Sequence, residues 1–315
     1  MDISIVVPFY NEVGSLPHLL EEIDAVMKSQ PFSYEVILVD DGSTDGSWKL
    51  LLSLMEKYPA TRGIRFQRNY GKSAALYTGF HAAEGTVVIT MDADLQDNPA
   101  EVPELYRMII EEGYDLVSGW KKKRYDPLSK RLPSRFFNFV VRIVSGIPNL
   151  HDFNCGLKSY RNEVVKNIEV YGEMHRYIPM IAKWAGFKKI GEKEVEHRKR
   201  EYGTSKFGMS RLVTGFLDLV SIVFTHKYMK KPMHFFGTWG VFFVFIGALD
   251  LVYLAVIKLM LGEGLGHRIP AMMFGVVTLL LGFMLFSTGL LAELISRNSI
   301  YKNQYKIAEK AGGNG

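Results

Sequence analysis

The stretch TVVITMDADLQ, Thr86 to Gln96, is an apolar run that ends in two carboxylates spaced two residues apart. A run apolar on nearly every position reads as a strand covered on both faces, as in a parallel sheet. In extended geometry residues two apart point to one side, so Asp92 and Asp94 face together and Gln96 can join them. Hard oxygen ligands at this spacing suit Mg²⁺ or Mn²⁺ bridging two phosphates. Acidic pairs after strands also cap helices, so this D-x-D takes its meaning from its surroundings.

Working outward, three further strand-like runs alternate with helical stretches. ISIVVPF precedes a helix through Leu19 to Met27, EVILVDD precedes one through Trp48 to Met55, and GIRFQRN leads to one around Ala74 to Ala83. The alternation predicts an α/β domain with a mostly parallel sheet and helices on both faces. Ligands of such sheets bind beyond the carboxyl ends of the strands, where PFYNE (Pro8 to Glu12), DDGST (Asp40 to Thr44) and DADLQ all fall. Asp40 and Asp41 are candidates for hydrogen bonds to a base or ribose, whereas Thr44 or Asp45 fits a helix N-cap.

The chain has 315 residues, 48% of them hydrophobic, enough for a large core. Its single cysteine, Cys155, excludes an intramolecular disulfide, and the catalytic part is expected in the cytosol. The N-terminus carries no signal-peptide pattern. A net charge of +5, from 38 Lys and Arg against 33 Asp and Glu, is modest for nucleic acid and suits an anionic membrane surface. After YDLVSGW, the segment KKKRYDPLSKRLPSR reads as a mobile basic loop, and Lys121 to Arg124 as charge without geometry. From Ser205 to Lys231 an apolar stripe ends in HKYMKK, the pattern of a helix lying in the membrane interface. Phe235 to about Ile257 and Ile269 to about Ile295 each exceed the roughly 20 residues a bilayer requires. Lysines and arginines flank this hairpin on its outer ends, which places the catalytic domain and the tail in the cytoplasm. Asp250, inside the first span, reads either as a packing contact in a homo-oligomer or as part of the reaction. The expected divisions are a catalytic domain over 1–204, an amphipathic region over 205–232, a hairpin over 233–296 and a tail over 297–315.

PFYNE, DDGST and DADLQ together resemble the family-2 inverting glycosyltransferases of the GT-A fold. DFNCGLKSYR (Asp152 to Arg161), RKREYGTSKF (Arg198 to Phe207) and the two spans narrow the resemblance to polyprenyl-phosphate glycosyltransferases, relatives of dolichol-phosphate mannose synthase and bactoprenol glucosyltransferases. The resemblance implies a GT-A domain with interfacial helices and two C-terminal membrane helices, located in the inner membrane. It implies that Pro8, Tyr10, Glu12, Asp40 and Asp41 line a nucleotide pocket, joined on the nucleotide sugar by Lys72, Asp92, Ala93, Arg198, Arg200 and Lys206. Asp92, Asp94 and Gln96 would hold the metal. Lys130, Arg131, Ser134, Arg135 and Ser205 would meet the acceptor phosphate, with Asp94, Arg131, Asp152 and Arg200 the catalytic set. Asp152 matches a position often assigned as base, or it orients the acceptor or sugar. A phosphate monoester with second pKa near 6 is already largely ionised at neutral pH, so the nucleophile needs little help from a base.

The implied reaction moves one sugar from a nucleotide diphosphate, with UDP-glucose the expected donor and undecaprenyl phosphate the expected acceptor. GDP-mannose, UDP-N-acetylhexosamine and UDP-aminoarabinose are alternatives. A processive polysaccharide synthase is disfavoured because no tryptophan follows an arginine. A non-catalytic nucleotide-sugar-binding membrane protein would have no use for the intact acidic and basic motifs.

Overall fold

A computed structural model describes residues 1–122, 128–198, 215, 217–224, 232–261, 265–298 and 307–311, with backbone alone over 128–136, 261, 265, 267, 296–298 and 307–311. Two compact units emerge, one of Met1–Asp218 with Asn303–Gly315, the other Leu219–Lys302.

The first unit is built on an eight-stranded sheet in the order β7-β5-β6-β4-β1-β2-β3-β8. Strands β1 (Ile3–Phe9), β2 (Tyr34–Asp40), β3 (Thr61–Phe66), β4 (Val87–Thr90), β5 (Leu116–Trp120) and β7 (Ile190–Glu194) run parallel. Strand β6 (Lys158–Arg161) is inserted antiparallel between β4 and β5. Helices α1 (Leu16–Lys28), α2 (Ser47–Lys57), α3 (Lys72–Ala82) and α4 (Val102–Ile110) follow β1 to β4 in turn, as the alternating pattern predicts. Both faces of the sheet are closed. Ile3, Ile5 and Val7 join a core with Leu16, Leu19 and Ile23 of α1, Leu51 of α2 and Leu105 of α4. Burial of each such side chain contributes about 1.5–3 kcal/mol. Across the sheet α3 lies so close that a Cβ on Gly79 would meet Val6 Cγ1.

Two features depart from expectation. The segment read as a basic loop is in large part helix: α5 spans Leu128–Ser145 and takes up Lys130, Arg131, Ser134 and Arg135. Of the two prolines that suggested a loop, Pro127 precedes α5 in sequence and Pro133 lies within it. Toward its other end α5 exposes Phe139 and Ile143, one turn apart. The second departure is β8 (Ile307–Ala311), which comes from the tail and pairs antiparallel with β3 from Gly63↔Ala311 to Phe66↔Ile307.

After α6 (Asn162–Lys166) and α7 (Ile178–Trp184), residues 217–224 are helical (α8), the described part of the expected interfacial stretch. In the second unit α9 (Pro232–Leu261) and α10 (Ile269–Asn298) form an antiparallel pair, each long and apolar enough to cross a membrane. Leu259 and Met260 are about four-fifths exposed, at 83% and 80%, as lipid-facing residues are. The pair is closed by small residues seven apart, Gly240 and Gly247 facing Gly275 and Gly282. A Cβ on Gly282 would stand 2.5 Å from the Val244 amide nitrogen, so the backbones nearly touch. Asp250 rests its carboxylate against Gly275, and its Oδ2 is buried without a hydrogen-bond partner. Gly282→Leu is expected to push the pair apart, giving faster amide exchange in α9 and α10 with exchange in the sheet unchanged; unaltered exchange in both helices would refute this packing.

Candidate active site

The carboxyl ends of β1, β2 and β4 carry the three loops that the sequence singled out. The first two are laced together. Asn11 N–H donates to Ser43 Oγ (2.9 Å), Thr44 N–H to Asn11 Oδ1 (2.8 Å) and Glu12 N–H to Ser47 Oγ (2.9 Å). Asn11 achieves this in the left-handed region, φ 57°, which asparagine tolerates better than most residues. Gly42, φ 77°, is required at its turn, because a Cβ there would lie 2.5 Å from the Arg68 carbonyl carbon.

Asp40 and Asp41 direct their carboxylates into this framework. Asp40 Oδ1 accepts from Ser43 N–H (2.8 Å) and Oδ2 stands 3.5 Å from Arg65 Nε. Asp41 accepts from the Tyr70 and Gly71 amides at 2.6 and 2.9 Å, which fixes the entry to α3. Burial raises the pKa of both, partly offset by those hydrogen bonds. At the start of α2 the N-cap is Gly46, not Thr44 or Asp45, since the chain enters the helix through a left-handed turn at φ 90°; Asp45, one residue earlier, accepts from the Ser47 amide at 3.0 Å.

The DADLQ loop turns sharply at Leu95, φ 62° and buried, a conformation that costs about 1–2 kcal/mol for a non-glycine residue. Asp94 Oδ1 accepts the Gln96 amide at 3.2 Å, and Asp97 Oδ2 accepts the Asp92 amide at 3.1 Å. Asp97, fully buried, is paired with Lys121 Nζ at 2.7 Å. Asp92 forms an ion pair with Lys72 and lies against Gly156, where a Cβ would sit 2.5 Å from its Oδ2. Burial pushes the Asp92 pKa up, but Lys72, Lys121 and Lys158 overcome it and hold the carboxyl at about 2. Lys121 is held charged, since Asp97 outweighs the effect of burial. One carboxylate thus stands among three lysines at the strand ends. Such concentrated positive charge, beside paired carboxylates, suits a diphosphate with a divalent ion.

The sequence profile of "Glycosyl transferase family 2" matches residues 4–169, which span all three loops. The chain belongs to glycosyl transferase family 2. A dodecaprenyl-phosphate galacturonate synthase of Rhizobium johnstonii is 40% identical over 304 residues, covering 94% of this chain and 88% of the relative. An undecaprenyl-phosphate 4-deoxy-4-formamido-L-arabinose transferase of Pseudomonas paraeruginosa is 35% identical over 297 residues, covering 94% and 85%. Among solved structures, glucosyl-3-phosphoglycerate synthase of Mycobacterium tuberculosis, in complex with Mn²⁺, UDP-glucose and glycerol 3-phosphate, superposes with TM-score 0.53 at 18% identity, over 71% of this chain and 79% of that one. This likeness shows the GT-A fold.

In the transferase the other expected residues fall as follows. Pro8 and Tyr10 are half-buried at the end of β1, and Glu12 accepts from the Ser15 hydroxyl at 2.7 Å. Ala93 is buried. The Gln96 side-chain Nε2 donates to the Arg198 carbonyl at 3.4 Å, and the Arg198 guanidinium pairs with Glu22 of α1 at 2.6 Å. Asp152 is buried, with its Oδ1 accepting from Asn154 N–H at 3.1 Å. Glu192 of β7 pins that segment by accepting the His151 and Asp152 amides at 2.6 and 3.0 Å. Arg200, Ser205 and Lys206 lie outside the described residues, as do the side chains of Lys130, Arg131, Ser134 and Arg135.

The donor chemistry fits a hard divalent ion. Asp92, Asp94 and the Gln96 carbonyl oxygen are the groups that would hold it. Among the described residues no group of three His, Cys, Asp or Glu side chains is placed to bind a metal, so water and diphosphate oxygens would complete the shell.

Sequence reasoning missed three contributors. Lys121 was hidden in a run of four cations. Lys158, buried at the start of β6, points its ammonium at the Cys155 carbonyl; it lies within the DFNCGLKSYR motif, where nothing singles it out from its neighbours. His175, on the 3-10 turn Met174–Tyr177, carries no local signal at all. Cys155 itself is inert, since burial pushes its thiol up to about 12.

Proposed function

We propose that the transferase moves a single sugar, with inversion, from a UDP-sugar to a polyprenyl phosphate at the cytoplasmic face of the inner membrane. The observation that carries this is the Asp92 carboxylate, among Lys72, Lys121 and Lys158 at the carboxyl ends of the strands. A bound Mg²⁺ or Mn²⁺ supplies positive charge to the departing diphosphate. The lysines match the same charge, and Asp97 keeps Lys121 in place. The acceptor phosphate attacks the anomeric carbon already ionised, so Asp152 is assigned to orientation more than to proton removal.

The lipid acceptor follows from the two curated relatives, both polyprenyl-phosphate transferases by name, and from two helices of membrane-spanning length. The names of the two relatives support a galacturonate or a 4-deoxy-4-formamido-L-arabinose donor ahead of the UDP-glucose expected from sequence. In this reading residues 1–204 are catalytic, 205–232 lie at the interface, 233–296 cross the bilayer twice and 297–315 return to the cytoplasm. Strand β8 supports the last step, because the chain resumes the sheet after α10.

The test is a panel of nucleotide sugars offered with undecaprenyl phosphate to the detergent-solubilised chain, read by mass of the lipid product. One sugar per lipid is expected, and no lipid product from any donor would overturn the assignment. Arg131→Ala is expected to raise KM for the lipid by about tenfold with KM for the nucleotide sugar unchanged, the scale of one charge-assisted contact. An equal rise in both would exclude Arg131 from a separate acceptor site.

A further inference from the structure

Ser73 stands in the first turn of α3, next to Lys72, the ion-pair partner of Asp92. Its hydroxyl meets His175 twice: the His175 backbone N–H donates to Ser73 Oγ at 3.0 Å, and Ser73 Oγ lies 3.0 Å from the ring Nδ1. Among the described residues these are the only partners of that hydroxyl, and Ser73 is fully buried.

A hydroxyl has one proton to give and two lone pairs. One lone pair receives the His175 amide. If Nδ1 also carried a proton, the serine proton would be left buried without an acceptor, at a cost of about 1–3 kcal/mol. The satisfied arrangement has Ser73 O–H donating to Nδ1, which puts the ring proton on Nε2. Burial first, then Lys72 and Arg176, hold the imidazole far below its ordinary value of 6.5, so it is neutral. Lys72, Asp92 and Lys158 all lie near enough to act on it.

The site therefore sets one neutral N–H donor beside a group of ammonium cations. The cations suit the diphosphate. A neutral donor suits an uncharged hydroxyl, and a site built around such a bond strongly rejects an analogue that lacks the hydroxyl. We propose that His175, held by Ser73 as the Nε2–H tautomer, donates a hydrogen bond to a hydroxyl of the transferred sugar and so takes part in choosing the donor. This rests on the sugar-transfer reading and adds a specificity-determining residue to it.

Two measurements on the full chain test it. In ¹⁵N NMR of histidine-labelled protein, the signal removed by His175→Gln should show the Nε2–H tautomer, and Ser73→Ala should admit the Nδ1–H form; an Nδ1–H ring in the unmodified chain would overturn the proposal. This reading needs no substrate, so it stands apart from failure of the donor panel. Affinities are then compared for UDP alone and for whichever UDP-sugar the panel shows to be transferred. His175→Phe should weaken the UDP-sugar about tenfold and leave UDP within twofold, the scale of one hydrogen bond. His175→Gln, which keeps an N–H donor, should retain most of the UDP-sugar affinity, and it serves where the phenylalanine variant does not fold. Equal weakening of UDP and UDP-sugar in either variant would overturn the assignment to the sugar.

Discussion

Asp94→Ala is expected to lower sugar transfer to polyprenyl phosphate by at least about a thousandfold, the scale on which preorganised charge at a leaving group acts. Its carboxylate accepts the Gln96 amide within a tight turn, a bond whose loss costs about 1 kcal/mol. The variant should remain folded by circular dichroism. Treatment with EDTA should have the same effect on the unmodified chain, reversed by Mn²⁺ or Mg²⁺. Full activity in EDTA would remove the metal from the mechanism. Asp92→Asn should behave differently, because it deprives Lys72, Lys121 and Lys158 of a shared counter-charge. The Asp92 pKa lies below its ordinary 3.8, so the stability it contributes is present above that value and is lost as pH falls through about 2. The asparagine variant should therefore lose more stability at neutral pH than Asp94→Ala does.

Gly156→Ala should be nearly as damaging, although glycine has no chemistry to lose. The new methyl carbon would sit 2.5–2.8 Å from all three terminal atoms of the Asp92 carboxylate group, closer than nonbonded atoms stand. Either Asp92 moves away from Lys72 or the backbone before β6 gives way. Such overpacking costs about 1–3 kcal/mol, and displacement of a reacting group by an ångström lowers rate about a hundredfold. Transfer rate and melting temperature should fall together in this variant. Retention of full activity would show that the Asp92 position is not critical.

The first four strands and their helices were legible because they are covered on both faces, which makes ISIVVPF, EVILVDD and TVVITMDAD apolar almost throughout. The convergence of PFYNE, DDGST and DADLQ followed from topology alone. Helix α5 was not legible, since two prolines and a dense positive charge argue for a loop wherever helix propensity is weighed locally. The site was legible where acids cluster after strands and obscure where function rests on one buried residue of ordinary type. Lys158 is visible as unusual only once β6 is known to be an interior strand, and His175 only once its turn is seen against α3. Asp97, directly after DADLQ, was not singled out in the sequence, yet its carboxylate ties the Asp92 amide to Lys121.

Strand β8 has the sequence IAEKA, with none of the periodicity of a strand and no neighbour in sequence that would pair with it. It belongs nonetheless to the same sheet as β1, separated from it by both apolar helices. During synthesis the edge of β3 therefore stays open until α9 and α10 have left the ribosome. Unpaired edges recruit other chains, and this one is closed only by residues made after the hairpin. The last step of assembling the sheet is thereby tied to delivery of the helices, so that a chain stalled or cleaved after α10 carries an unfinished edge.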